Sequence, residues 1–170
     1  MENGDVIMEL KNFDKILERV PKMSRPMRVI LAGSDGENML KGIFAAQEKG
    51  LVQPVLVGDR ARTITVLEQF GLEREPYTMV DTPPGHNITQ EAIDIINAGD
   101  GDVLMRGNIA TRDFLMPVLD KTNKLRTERL MSHVSLASLP EYPKLLALSD
   151  MTVVIKPNMT QKKAIIKNTA

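Results

Sequence analysis

The segment Gly101–Phe114, with the sequence GDVLMRGNIATRDF, carries residue types that suit the binding of an anion. An apolar run ends at Arg106, Gly107 and Asn108 follow it, and Thr111 opens a predicted helix. Arginine offers a fork of N–H donors with a fixed charge, and glycine lets the backbone approach a ligand closely. The start of a helix adds unpaired N–H groups and a partial positive charge. The spacing therefore predicts a phosphate-binding loop.

The charge of the chain changes sign close to this loop. Residues 1–104 carry 11 basic and 17 acidic side chains, whereas residues 105–170 carry 11 basic and 5 acidic ones, so the whole chain is neutral. This asymmetry leaves two interpretations, a solvated basic surface or a site for an anionic ligand. The zero net charge gives no reason to expect binding to nucleic acid or to an anionic membrane surface.

Residue types and spacing exclude several other kinds of site. The chain has no cysteine, which excludes disulfides, thiolate metal sites and a thiol nucleophile. His86 and His133 lack the spacing of a metal-binding motif, so no metal is expected. The segment Ala32–Asn38 (AGSDGEN) is not a dinucleotide-binding glycine motif, and Asp35 and Glu37 would repel a pyrophosphate.

No sequence feature directs the chain to a membrane or out of the cell. The apolar runs are all much shorter than the roughly 20 residues that a membrane helix needs, and the N-terminus lacks a secretory pattern. We therefore expect a cytoplasmic protein.

Four apolar runs typical of buried parallel strands alternate with four helical segments. The strands are predicted at residues 27–33, 53–59, 76–82 and 102–107, and the helices at 34–50, 60–71, 87–99 and 111–121. Asn87 and Thr111 are the expected N-caps, Gly71 and Gly99 the expected stops, and Pro117 predicts a kink or an early helix end. This alternation indicates βαβ units, whose ligands bind at the carboxyl ends of the strands.

The pattern changes after residue 121. Segments 128–140 and 144–150 predict two strands of an antiparallel hairpin, and a last helix is expected to start at Thr160 as its N-cap. Ile165 and Ile166 begin an apolar stripe near the chain end, which indicates either ordinary fraying or a chain that ends within a larger architecture. With a helix expected near residues 6–20, the predicted fold class is α/β. It is a three-layer α/β/α arrangement with a mainly parallel sheet and an antiparallel hairpin toward the C-terminus.

Four segments resemble the phosphate acetyltransferase/phosphate butyryltransferase family in their order and spacing. They are GDVLMRG, ATRDFLMPVLDK, LRTERLMSHVSLASLPEY and LLALSDMTV, and they are more similar to the butyryl branch than to the acetyl branch. The resemblance implies transfer of an acyl group between coenzyme A and inorganic phosphate, by a protein of two α/β domains that is usually a homodimer. It divides this chain into an N-terminal helix (1–24), a first α/β domain (25–150) and the start of the crossing (151–170) to a second domain that is missing.

The resemblance also implies which residues meet the substrates. Those expected to bind phosphate or the coenzyme, or to present a donor to the cleft, are Arg106, Gly107, Asn108, Thr111, Arg126, Thr127, Ser132 and His133. In a strand, Ser132 and His133 would point to opposite faces, which argues against a Ser–His pair. No residue inherits a catalytic role, because the Ser-Arg pair and the Asp of the acetyl branch lie in the second domain. Acyl-CoA and phosphate are the expected partners, coenzyme A is a substrate, and no cofactor stays bound.

Two positions depart from the family pattern, and they keep other functions open. Met116 stands where relatives commonly have arginine, and Val154 where they usually have asparagine. A non-catalytic module that binds coenzyme A or phosphate is therefore an alternative to the acyltransferase. Another α/β enzyme of related fold is the third hypothesis, against which the missing glycine motif argues.

Overall fold

The structure, a computed structural model, describes residues 12–18, 25–72 and 76–170. By its internal contacts the chain divides into two compact units. The sheet unit runs from Met23 to Arg126, and the hairpin unit contains Thr127–Ala170 with the short helix α1 (Phe13–Leu17). The domain boundaries predicted from the resemblance stay predictions, and most of the N-terminal helix expected near residues 6–20 lies outside the described residues.

Four parallel strands form the centre of the sheet unit. They are β1 (Met27–Ala32), β2 (Val52–Gly58), β3 (Thr78–Asp81) and β4 (Val103–Arg106), in the spatial order β3-β2-β1-β4. Strand β1 lies between β2 and β4, so β2 and β3 extend the sheet on one side of β1 and β4 extends it on the other. The direction in which strands are added therefore reverses between β1 and β4. In open α/β sheets, ligands bind at such a point, outside the carboxyl ends of the strands.

Helices cover both faces of this sheet. They are α2 (Glu37–Glu48), α3 (Arg60–Phe70), α4 (Ile88–Asn97) and α5 (Thr111–Leu119), with a 3₁₀ turn at Lys121–Asn123. Phe44 of α2 and Leu67 of α3 pack with Leu31 on one face. Ala92 of α4 and Phe114 of α5 pack on the other. The predicted three-layer α/β fold is confirmed, since helices pack on both faces of the sheet. Continuous apolar strands require such cover on both sides.

A carboxylate joins β1 to β4 at the amino edge of the sheet. Asp102 accepts hydrogen bonds from the Arg25 guanidinium at 2.6 and 2.9 Å, and from the Arg28 backbone N–H at 2.8 Å. The Arg28 side chain adds a further bond at 3.1 Å. The guanidinium groups of Arg25 and Arg28 hold the pKa of Asp102 well below its usual range. This cluster of one carboxylate and two guanidinium groups is structural, because it lies at the end of the sheet opposite the predicted phosphate-binding loop.

The predicted ends of α3 and α4 at Gly71 and Asn87 are confirmed, whereas the predicted cap of α5 is wrong. The Asn87 side chain accepts from the Gln90 N–H at 3.1 Å and caps α4, and Gly71 ends α3 with a φ of +61°. Thr111 does not cap α5, because it is the first helical residue and Ala110 holds the cap position without a side-chain bond. Pro117 lies inside α5, which ends two residues after it.

The hairpin unit contains a two-stranded sheet and a C-terminal helix. Strands β5 (Ser135–Ala137) and β6 (Leu146–Leu148) are antiparallel, as predicted, but shorter than expected. Ser132 and His133 precede β5 and are not in a strand. The strands are short because the segment between them contains two prolines and closes in a turn, so its residues do not pair across the hairpin.

Asn158 caps the last helix, α6 (Met159–Thr169). Its side chain accepts from the Gln161 N–H, and the Gln161 side chain accepts from the Asn158 N–H, both at 2.9 Å. The prediction of Thr160 as the cap is wrong, because this reciprocal pair starts the helix directly after Pro157.

The described residues contain neither a membrane-spanning helix nor a metal-binding cluster. Within these ranges no helix has both the length and the apolar character needed to cross a bilayer. In the same part of the chain, no cluster of three or more His, Asp or Glu residues could hold a metal ion.

Candidate functional site

The loop between β4 and α5 lies directly against the loop that follows β1. The Gly107 N–H donates to the Ala32 carbonyl and the Asn108 N–H to the Gly33 carbonyl, both at 2.8 Å. A Cβ atom at Gly107 would overlap the Gly33 carbonyl oxygen, and Gly33 itself has a φ of +82°. Glycine is required at Gly107 because one backbone touches another there.

This packing decides which donors of the loop are free. The N–H groups of Gly107 and Asn108 serve the protein, and the Ile109 N–H donates to the Gly107 carbonyl at 3.0 Å. The prediction that Gly107 and Asn108 bind an anion stays a prediction. In this conformation, an anion here would depend on side chains and on the start of α5.

Arg106 closes the loop with its side chain. Its Nη1 donates to the Ile109 carbonyl at 2.7 Å, and the residue is exposed at the carboxyl end of β4. No carboxylate in the described ranges forms an ion pair with it. Because a guanidinium has five N–H donors, Arg106 can hold the loop and still bind an oxyanion.

The start of α5 adds a partial positive charge at the same place. Its backbone ladder begins with the Phe114 N–H donating to the Ala110 carbonyl at 3.1 Å, and no side chain caps it. The N–H groups of its first turn therefore lack a partner within the helix. Thr111 is exposed there, whereas Asp113 in the same turn opposes an anion.

Sequence reasoning missed a cleft of about 640 Å³ beside this loop. One wall is formed by residues 85–90, and the other by α5 and the 3₁₀ turn. Met116 lies in this wall with 61% of its surface exposed. The one sequence signal for this cleft was Met116, which stands where relatives commonly have arginine. That signal does not reveal a cleft, because the two walls meet only through the packing of α4 against α5.

Ser132 and His133 lie in the hairpin unit, held by hydrogen bonds to two other segments. The Asn168 side-chain amide donates to the Ser132 hydroxyl oxygen at 2.9 Å. The His133 N–H donates to Asp150 at 3.0 Å, and the Ser149 hydroxyl donates to the His133 carbonyl at 2.6 Å. These bonds hold the side chain of Ser132 and the backbone of His133 in place.

Asp150 is a residue that sequence reasoning missed. Burial acts to raise the pKa of Asp150, but the N–H groups of Val153, Thr152 and His133 outweigh it and lower the pKa to about 2. The carboxylate accepts from Thr152 at 2.9 Å and from Val153 at 2.8 Å. It thereby joins the segment before β5 to the segment after β6.

The other two predicted residues are exposed and are consecutive in the chain. Arg126 is the last residue of the sheet unit and Thr127 the first of the hairpin unit. The Thr127 hydroxyl oxygen accepts from the Arg129 N–H at 3.2 Å. The structure thus brings together Arg106, Gly107, Asn108 and Thr111 in one loop, and Ser132 and His133 in another segment. Their union in one site stays a prediction.

The family model described as "Phosphate acetyl/butaryl transferase" matches residues 84–170, just over half of the chain. The chain belongs to this family. The match includes both the β4–α5 loop and the segment with Ser132 and His133, and the predicted resemblance is confirmed.

Relatives in both branches of the phosphate acetyl/butyryl transferase family are similar to the chain. Phosphate butyryltransferase of Clostridium beijerinckii is 32% identical over 93% of this chain and 52% of its own length. Phosphate acetyltransferase of Rhizobium meliloti is 29% identical over 92% of this chain and 49% of its own length. The chain therefore spans about half the length of these relatives.

Solved structures share the fold of this family member. A branched-chain phosphotransacylase from Enterococcus faecalis V583 superposes with a TM-score of 0.66 at 21% identity, over 84% of this chain and 49% of that one. A phosphotransacetylase from Streptococcus pyogenes gives a TM-score of 0.56 at 14% identity, over 73% of this chain and 45% of that one. These likenesses support the three-layer architecture.

Proposed function

We propose that this chain provides the phosphate- and coenzyme-binding half of a phosphate acyltransferase. The reaction converts acyl-CoA and inorganic phosphate into an acyl phosphate and free coenzyme A. One observation carries the proposal: the family match covers a loop at the switch point of the sheet, where Arg106 and the uncapped start of α5 lie together.

The chemistry requires positioning more than covalent catalysis. A phosphate oxygen attacks the thioester carbonyl, a C–O bond forms, and the C–S bond breaks as the sulfur leaves with its electron pair. A thiol of pKa about 8.5 or above leaves nearly as a thiolate, so no strong acid is needed. Holding the two anionic substrates in line supplies most of the rate, and donors stabilise the developing oxyanion.

The proposal assigns each predicted site residue a part in this work. In the proposal, the unused N–H groups of Arg106, the Thr111 hydroxyl and the first turn of α5 hold phosphate, and Arg126 with Thr127 forms a second anion position. Ser132 and His133 present donors to the carbonyl oxygen. Coenzyme A acts as a substrate, with no permanently bound cofactor and no metal.

Two assays separate the acyltransferase from a module that only binds. Calorimetric titration with coenzyme A measures binding, and release of free thiol from butyryl-CoA and phosphate measures turnover. We expect coenzyme A to bind to the chain, and thiol release to be strongest when the C-terminal half of a relative is supplied. Binding without turnover in every combination would favour the non-catalytic module, and no binding at all would contradict the proposal.

Assembly as a homodimer in the cytoplasm is part of the same proposal. Exposed apolar side chains in the hairpin unit support an assembly, since Ile155 is 88% exposed, Met159 68% and Ile166 66%. Surfaces of this kind mark sites of protein association. Acyl-CoA and phosphate are metabolites of the cytoplasm, and a fluorescent fusion tests the location.

A further inference from the structure

Another cavity lies toward the amino ends of β1, β2 and β3, on the face of the sheet that α4 covers. Its volume of about 370 Å³ falls within the range of roughly 300–1,000 Å³ for ligand pockets. All its lining residues belong to the sheet unit. Arg28 lines this cavity and precedes Ala32, the register partner of Arg106, by about 13 Å along the strand. The cavity is therefore separate from the predicted phosphate-binding loop.

Three aliphatic side chains form the floor of this cavity. Val55 of β2 and Val80 of β3 lie on the sheet, and Ile95 lies on α4. They belong to one apolar cluster, in which Val55 is buried and the other two side chains are partly buried. This aliphatic floor can bury an apolar group of a ligand, which is favourable in proportion to the area removed from water.

Arg28 brings a guanidinium with an unused nitrogen to the same cavity. Its Nε donates to Asp102 at 3.3 Å, and its Nη2 donates to Asp102 at 3.1 Å and to the Gly99 carbonyl at 2.7 Å. Nη1 has no hydrogen-bond partner among the described residues. Since the other nitrogens already hold the group in one orientation, little side-chain entropy is lost when Nη1 binds a ligand.

A carboxylate lies beside this guanidinium without saturating it. The Asp100 Oδ1 is 3.7 Å from the Arg28 Nη1, which is longer than a hydrogen bond. The Asp100 side chain is 76% exposed, and it forms no other ion pair within the described ranges. The cavity thus offers one positive and one negative group next to each other, and both can accept a further partner.

Two neutral polar side chains complete the lining. Gln53 is the register partner of Arg28, and Thr78 is the register partner of Val55, and both are exposed. In the part of the chain that the structure describes, neither side chain has a hydrogen-bond partner. Partners on adjacent strands lie roughly 4.8 Å apart, so the Gln53 amide can donate to the same ligand group as Arg28.

We propose that this cavity binds an aliphatic α-amino acid of the size of leucine. The ligand carboxylate accepts from the Arg28 Nη1 and the Gln53 amide, its ammonium group lies against the Asp100 carboxylate, and its side chain packs on the aliphatic floor. A carboxylate alone would be opposed by Asp100, and an amine alone by Arg28, so the adjacent charges favour a zwitterion. The site shares no residue with the proposed acyltransferase site and does not depend on that function.

L-Leucine, 4-methylpentanoate and 3-methylbutylamine test this assignment, because they share one branched chain and differ only in their charged groups. NMR titration of the whole chain should show leucine binding about tenfold or more tightly than either analogue, since each analogue lacks one charge-assisted contact. Glycine lacks the aliphatic side chain and should bind at least about tenfold more weakly than leucine. The shifts caused by leucine should centre on Val55, Thr78 and Val80, and not on the loop at Arg106.

Asp100→Asn tests the contact with the ammonium group. Because the side chain is exposed, this variant should keep the fold, and its preference for leucine over 4-methylpentanoate should fall to about threefold or less. The variant should also bind 4-methylpentanoate more tightly than the wild type does, since the opposing charge is gone. Glu68→Gln is the control, because it removes an exposed charge from α3, which packs on the other face of the sheet. It should leave the preference as it is.

The wild-type comparison decides the proposal even if a variant fails to fold. The proposal is overturned if leucine does not bind, if it binds no more tightly than glycine or either analogue, or if its shifts centre on the loop at Arg106. An unchanged preference in a folded Asp100→Asn variant would also overturn it. Neither coenzyme A binding nor thiol release enters these measurements, so failure of this site and failure of the proposed function are distinguishable.

Discussion

Single residues at the β4–α5 loop act by fitting two backbones together. Gly107 donates to the Ala32 carbonyl, lies against the Gly33 carbonyl, and leaves no room for a side chain. The sequence shows the glycine and the arginine of this loop. It does not show that the N–H groups are already in use, because their acceptors lie more than 70 residues earlier in the chain.

Replacing Gly107 by alanine should destabilise the protein. The added methyl group must displace the Gly33 backbone, and the expected cost is more than about 2 kcal/mol. Gly42 is the matched control, since it lies in α2 with open space around its Cβ position. Gly42→Ala should stabilise by about 0.5–1 kcal/mol. Urea unfolding measures both, and equal effects would contradict the close contact at Gly107.

The lowered pKa of Asp150 predicts that the free energy of unfolding falls as the pH falls below 4. The folded-state pKa of about 2 lies below the unfolded value of roughly 4, so its contribution is complete above pH 4 and is lost as the pH falls toward 2. Asp150→Asn should flatten the fall of the unfolding free energy in this window.

The neighbouring Ser149→Ala variant provides the control for Asp150. Its hydroxyl bonds to the His133 carbonyl and does not titrate between pH 2 and 4. This variant should lose the same stability at every pH while keeping the wild-type slope. An unchanged slope in Asp150→Asn would refute the assigned role of the carboxylate.

At the scale of elements, apolar runs and turn residues were sufficient to predict the parallel sheet. The short β-branched run from Met27 to Gly33 is typical of a buried strand, and β1 forms there. Asn87 caps the start of α4 and Gly71 ends α3, both through local chemistry. The hairpin strands were predicted too long, because the length of a two-stranded sheet depends on which residues find a partner. The cleft beside the β4–α5 loop escaped prediction because its two walls, residues 85–90 and residues 109–123, lie 19 or more residues apart in the sequence.

The two candidate caps of α6 can be compared directly. Asn158→Ala removes the bond that the Asn158 side chain accepts from the Gln161 N–H and should cost about 1 kcal/mol in the free energy of unfolding. Thr160→Ala lies one residue inside the helix on an exposed face and should change it by less than about 0.5 kcal/mol. Chemical denaturation distinguishes the two, and a larger effect of Thr160→Ala would reinstate the sequence-based cap.

At the scale of the whole molecule, the chain spans about half the length of its relatives and exposes apolar side chains in its hairpin unit. Ile155→Lys should leave the unfolding free energy within about 0.5 kcal/mol of wild type, because this side chain is 88% exposed. The same change should weaken self-association in sedimentation velocity, whereas Ile155→Leu should not. Unchanged association in Ile155→Lys would remove Ile155 from the proposed interface.

The binding of inorganic phosphate to Arg106→Gln and Arg112→Gln tests the central claim most directly. Both residues are exposed arginines at the same edge, but only Arg106 closes the loop through Ile109. Calorimetry should show about a tenfold or greater loss of phosphate affinity in Arg106→Gln, since a charge-assisted bond contributes roughly 1.5–3 kcal/mol. Arg112→Gln should bind as the wild type does. Equal affinity in the wild type and Arg106→Gln would contradict the phosphate site at this loop.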